Sequence, residues 1–134
     1  MKKFLSSLVA MIAIALLFTA CSKSPDKVLD RKDGKWDAVI TMTYLIDGVV
    51  DETEVEVGTF IFNDRNVTLI SSDGSSETGT WSANKDQVTL VLDGGGLVFE
   101  VLQSKKKAQE WEMIEKETYQ GSVFEYKLNI KLTR

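Results

Sequence analysis

The chain has 134 residues, 16 basic and 20 acidic, with one cysteine and no histidine. Without histidine or a second cysteine, Ser-His-Asp and Cys-His catalysis, His/Cys metal sites and an internal disulfide are excluded. The length fits one domain, and the acidic balance argues against nucleic acid and against peripheral binding to anionic lipid.

Residues 1–20 read as an export signal. Met1-Lys2-Lys3 is a short basic start, and the apolar run from Leu8 to Phe18 follows. That run suits a signal peptide, whereas a helix spanning lipid needs about 20 apolar residues. It ends in Phe18-Thr19-Ala20-Cys21. Small residues there let the backbone lie extended in a peptidase groove, and the residue after the cut is the lone cysteine. The arrangement resembles the lipobox of bacterial lipoproteins, with Phe18 where leucine is usual. The resemblance implies cleavage after Ala20, a diacylglyceryl thioether on Cys21 and an acylated nitrogen. Each buried CH₂ then contributes about 0.8 kcal/mol, and two or more chains anchor stably. Ser22 implies the outer membrane of the cell envelope. Losing Lys2 and Lys3 leaves 14 of the 16 basic residues against all 20 acidic ones.

Residues 21–33 are polar, hold the only proline and read as a lipidated tether, with one helical turn near Val28-Leu29 that would plug a barrel end. The folded domain is expected over residues 34–134. From Lys35 onward the dominant period is two. Trp36, Ala38, Ile40, Met42, Tyr44 and Ile46 alternate with Asp37, Val39, Thr41 and Thr43 in the first strand; Phe124, Tyr126, Leu128, Ile130 and Leu132 alternate with Glu125, Lys127, Asn129 and Lys131 in the last. A strand places one such set inside and the other in water. Strands are also expected over 54–62, 67–71, 78–82, 88–92, 97–102 and 110–118. The apolar phase of 54–62 switches from Val55 and Val57 to Phe60 and Phe62, which predicts a bulge or a sharp bend at Gly58. Segment 105–116 is rich in helix formers, yet Trp111 and Met113 keep period two, and strand is the favoured reading. Asp47-Gly48, Asp73-Gly74 and Asp93-Gly94 are hairpin signals. Short links require antiparallel neighbours, and closure removes exposed edges. The prediction is an all-β, up-and-down antiparallel barrel of about eight strands.

Gly34-Lys35-Trp36 opens the first strand, and Gly79-Thr80-Trp81-Ser82 is followed by Asp86-Gln87-Val88-Thr89-Leu90. On these motifs the chain resembles the lipocalins, and more particularly the short lipocalin-like lipoproteins of Bacteroidetes. The resemblance implies that Gly34 and Trp36 form the closed barrel end, with a late cation, Lys131 or Arg134, over the indole. It also implies a small hydrophobic or amphipathic ligand in the barrel.

Nine aromatic residues fall at inward positions, namely Trp36, Tyr44, Phe60, Phe62, Trp81, Phe99, Trp111, Phe124 and Tyr126. An eight-stranded barrel is just wide enough to be filled by side chains or to hold one small ligand. If a pocket exists, Tyr44, Phe60, Phe62, Phe99 and Tyr126 are expected to line it. The other clusters read as structural. Asp47, Asp51, Glu52 and Glu54 lack the spacing of a calcium loop. Glu110, Glu112, Glu115 and Glu117 are expected mostly to face water. Lys105-Lys106-Lys107 reads as a hairpin tip, and Gly94-Gly95-Gly96 lacks the lysine and helix of a phosphate loop. No metal, cofactor or catalytic residue is expected, and no protein partner can be named. The functional expectation is a membrane-tethered, non-enzymatic binding barrel. The alternative is a filled barrel acting as a protein-interaction or assembly module.

Overall fold

The computed structural model describes residues 23–93 and 95–134. The signal peptide, Cys21 and Gly94 lie outside the described residues. Eight strands follow one another: β1 (Lys35–Ile46), β2 (Val49–Asn63), β3 (Asn66–Ser71), β4 (Ser76–Ala83), β5 (Gln87–Leu92), β6 (Gly95–Lys105), β7 (Ala108–Tyr119) and β8 (Ser122–Thr133). Each pairs antiparallel with the next, and β8 returns to β1, so the sheet closes into a barrel. The up-and-down order follows from the short turns. In Asp47-Gly48 and Gln120-Gly121 both residues have positive φ (50° and 81°, 50° and 82°). That turn matches the twist of the flanking strands, and glycine, asparagine and aspartate adopt it most cheaply. Segment 105–116 is strand β7 from Ala108 onward, because Trp111 and Met113 gain more by facing the core than their neighbours gain from helix propensity.

Strand lengths are unequal, and this shapes the molecule. β3, β4 and β5 have 6, 8 and 6 residues, whereas β1, β2, β7 and β8 have 12, 15, 12 and 12. β2 leaves β3 at Gly58↔Ser71, and β7 leaves β6 at Glu112↔Glu100. Beyond those points β2, β1, β8 and β7 continue as a four-stranded sheet that rises past the rim.

Across this sheet, directly opposed residues share a face. Reading β2–β1–β8–β7, the inner rows run Gly58–Ala38–Leu132–Gln109, Glu56–Ile40–Ile130–Trp111, Glu54–Met42–Leu128–Met113 and Glu52–Tyr44–Tyr126–Glu115. The apolar core therefore gives way to aromatic rings flanked by carboxylates as the sheet leaves the barrel. The predicted bulge at Gly58 is absent. Alternation passes through Gly58 unbroken, and the register shifts instead between Tyr44 and Leu45. Gly58 is needed for a different reason: a Cβ there would lie 2.6 Å from the Ile70 carbonyl oxygen. Past the rim the inner face is open to water, so glutamates occupy it, while Val55 and Val57 stand on the outer face. The same logic corrects the expectation for Glu115 and Glu117, which share the inner phase of Trp111 and Met113; Glu110 and Glu112 are on the outer phase.

The closed half is filled. Trp36, Phe60, Phe62, Val67, Val88, Leu90, Phe99, Trp111 and Leu132 are at most 1% exposed. Burying side chains of this size contributes about 1.5–3 kcal/mol each. Edge-to-face rings lock the set, with Phe62 against Trp81 and Trp111 at 5.3 and 6.2 Å. Residues 23–33 are packed against the barrel. A 3-10 turn at Pro25–Lys27 carries Pro25, Val28 and Leu29 into the closed end, and Leu29 joins the core.

Candidate functional site

The closed end is held by polar contacts as well as burial. Trp36 lies across it, and its indole N–H donates to the Leu29 carbonyl at 2.9 Å. The Arg134 guanidinium sits 4.1 Å from the Trp36 ring, so Arg134 rather than Lys131 is the stacking cation. Arg134 also donates from Nε to the Lys106 carbonyl (3.1 Å) and from Nη1 to the Arg31 carbonyl (3.0 Å). Desolvation holds its pKa below the ordinary value, and the Asp33 charge opposes that shift. Gly34 is forced by close approach: its φ is +66°, and an added Cβ would fall 1.8 Å from the Phe62 carbonyl oxygen. Gly79 of the second motif is forced likewise, since a Cβ there would fall 2.0 Å from the Val91 carbonyl oxygen. Trp81 packs on Phe62, but its buried indole N–H has no hydrogen-bond partner.

The open end carries the candidate site. Tyr44 and Tyr126 are opposed in the β1–β8 register, and their ring centroids lie 5.1 Å apart, tilted by 45°. Ile46 and Phe124 form the next pair toward the tip. Glu52 stands beside Tyr44, Glu115 beside Tyr126 and Glu117 beside Phe124. Together they line a cavity of about 740 Å³, to which Leu45, Asp51 and the ion pair of Lys116 with Glu125 (3.2 Å) also contribute. The hairpin tips are tied together there. Asp47 donates its backbone N–H to Val123 oxygen and accepts the Val123 N–H on its carboxylate, both at 2.8 Å. Burial raises the Tyr126 pKa, and Tyr44 and the Glu115, Glu54 and Glu56 carboxylates raise it further. The phenol thus sits in a negative field.

Of the five residues expected to line a pocket, the structure brings two together. Tyr44 and Tyr126 meet at the open end, while Phe60, Phe62 and Phe99 are at most 1% exposed and belong to the packed core. The flanking glutamates and Phe124 complete the cavity and were not among those five. Parity was the available signal: Glu52, Glu54 and Glu56 share the even phase of Phe60, as Glu115 and Glu117 share the odd phase of Trp111. Chemically, the site offers ring faces flanked by negative charge. Among the described residues no group of three or more acidic side chains is arranged to hold a metal ion, and no helix is long and apolar enough to cross a membrane. No family model, curated protein or solved structure matches the chain.

Proposed function

We propose that this chain is a lipid-anchored, non-enzymatic, lipocalin-like barrel of the cell envelope that binds a small amphipathic molecule at its open end. The signal-like start with Cys21 supports anchoring in the outer membrane, and the stack of Arg134 on Trp36 supports the lipocalin resemblance. The observation that carries the binding role is the row Glu52–Tyr44–Tyr126–Glu115 in an opening of about 740 Å³. That volume falls within the ordinary range for small-molecule sites of roughly 300–1,000 Å³. Ring faces suit an apolar body, and the carboxylates favour a positively charged end through charge and cation–π attraction. Glutamates facing inward on β2 and β7 also guard the free edges of the sheet against strand addition.

Native mass spectrometry of the envelope-purified protein, mixed with a pool of cationic and neutral envelope amphiphiles, tests the proposal. Reproducible added mass is expected, lost in Tyr44→Ala with Tyr126→Ala while the melting transition persists. A bare mass throughout the pool, beside intact cooperative unfolding, refutes it.

A second reading has its own observation. On the outer face of β1 and β2, Val39, Val55 and Val57 are 42%, 62% and 55% exposed, and Val39 pairs with Val57. With the closed half filled, this apolar patch supports a protein-interaction module. Val55→Lys with Val57→Lys would abolish such an association and leave small-molecule binding unchanged.

A further inference from the structure

We infer that the closed end of the barrel binds the phosphate-bearing headgroup of an anionic phospholipid. A second cavity of about 550 Å³ lies there, lined by Lys23, Lys27, Arg31, Lys32, Lys106, Arg134 and Val28. Six cations meet around one valine, and no carboxylate is in the lining. The fold explains the gathering. Pro25, Val28 and Leu29 are buried as the plug, which leaves Lys27, Arg31 and Lys32 exposed around it. The β6–β7 turn contributes Lys106, and the end of β8 contributes Arg134.

The site is organised before any anion arrives. Arg134 is fixed by two backbone carbonyls and the Trp36 ring. Lys23 is pinned to β6, donating its N–H to Ser104 oxygen at 3.0 Å and accepting the Ser104 hydroxyl on its carbonyl. None of the six side chains forms a salt bridge among the described residues. Asp33 is the carboxylate that acts on Arg134, while Asp26 and Asp30, from the same turn, line a different cavity with Asp64 and Trp81. Like charges in one concavity raise a positive potential, and a phosphate with several acceptor oxygens is the anion that neutralises it with the most hydrogen bonds.

The lipid is chosen as the source because of where the chain enters. Lys23 is two residues from Cys21, and two extended residues span about 7 Å. This choice rests on the proposed lipidation, which would hold headgroups at the rim of the cavity; the affinity for phosphate does not. It also revises the meaning of the net negative charge. Cations dominate the closed end and carboxylates the open-end cavity, so an anionic surface attracts one end, repels the other and turns the ligand cavity away from the membrane.

Isothermal titration calorimetry at low ionic strength tests this, using the protein purified after expression of the full chain. The probes are micelle-free dihexanoyl phosphatidylglycerol, dihexanoyl phosphatidylcholine and inorganic phosphate. Phosphatidylglycerol should bind, inorganic phosphate more weakly and phosphatidylcholine not detectably. Lys27→Glu with Lys32→Glu should weaken phosphatidylglycerol at least tenfold with an unchanged melting transition, and Lys106→Gln should weaken it less. Equal binding of phosphatidylcholine, or an affinity untouched by charge reversal in a folded variant, overturns the inference. Inorganic phosphate binding more tightly than the lipid overturns the lipid assignment. The soluble probes need no acyl chain on Cys21, so failure of the anchoring proposal, read separately from the mass of the N-terminal peptide, leaves this result independent.

Discussion

Gly34, Gly79 and Gly121 separate two costs that usually arrive together, and Gly34→Ala is the substitution expected to do most harm. Gly121 has φ +82° with open space around a Cβ, so Gly121→Ala incurs only the left-handed backbone cost, about 1–2 kcal/mol. Gly79 lacks the positive φ, but its Cβ would lie 2.0 Å from Val91 oxygen and 2.8 Å from Leu92 Cδ2. Gly34 combines φ +66° with a Cβ 1.8 Å from Phe62 oxygen. Relief requires the end of β2 to move by over an ångström. That movement strains the Phe62 N–H bond to Gly34 oxygen, now 2.9 Å, and shifts a ring that is 1% exposed. Adding about 1 kcal/mol for the bond and 1–2 for disturbed packing gives a cost of about 3–5 kcal/mol. For a domain of this size that lowers Tm by roughly 12–20 °C. Urea unfolding followed by tryptophan fluorescence reads all three variants on one scale. The expected order of loss is Gly34→Ala, then Gly79→Ala, then Gly121→Ala, with unchanged m values. A Gly34→Ala loss within about 0.5 kcal/mol of Gly121→Ala would refute the clash argument.

Two of the three inner tryptophans, Trp81 and Trp111, should respond differently to loss of the indole nitrogen. Trp111→Phe strands the Gln109 oxygen that now accepts at 3.3 Å in the core, whereas Trp81→Phe removes a donor that already lacks a partner; chemical denaturation should show Trp111→Phe costing about 1–3 kcal/mol more. Arg134→Ala removes the stack on Trp36 and two carbonyl contacts, for about 2–3 kcal/mol in total, and Arg134→Lys, which keeps charge but not the fork, should recover less than half of it; equal stability of the two variants would contradict this. In ultraviolet titration Tyr126 should ionise above its ordinary value, because burial and nearby charges disfavour the phenolate, and Glu115→Gln should lower that midpoint. Since the folded value is raised, the stabilisation is complete below about pH 10 and is lost as pH climbs through the folded value.

Strand count and closure were legible from residues because each left a periodic mark, while the closed end was expected through the resemblance of Gly34-Lys35-Trp36 to the lipocalins. Trp36 and Leu132 keep period two beside a sealed core, and Asp-Gly turns punctuate the ladder. The open-end site was only half legible. Alternation tells which residues share a face, but hydropathy tells which face is inside only where that face is dry. Along β2 the valines took the outer phase and the glutamates the inner, because the strand had already left the barrel. Strand length decides this, and it depends on the distant partners β3 and β6. The basic pocket was hidden for a related reason: its cations come from sequence positions 23–32, 106 and 134, which only the closed topology brings together.

The seam between β8 and β1 has a kinetic consequence. Every other ladder joins neighbours in sequence, but this one pairs Asp37 with Thr133 and Ala38 with Leu132. Hairpins can form within microseconds, whereas a contact spanning nearly the whole chain must first overcome the entropy of closing that loop. Nascent molecules therefore pass through an open, curled sheet whose two edge strands, β1 and β8, are both long and rich in β-formers. The interval before the seam zips is when one copy can exchange a terminal strand with another, and dilution during refolding should favour the monomer.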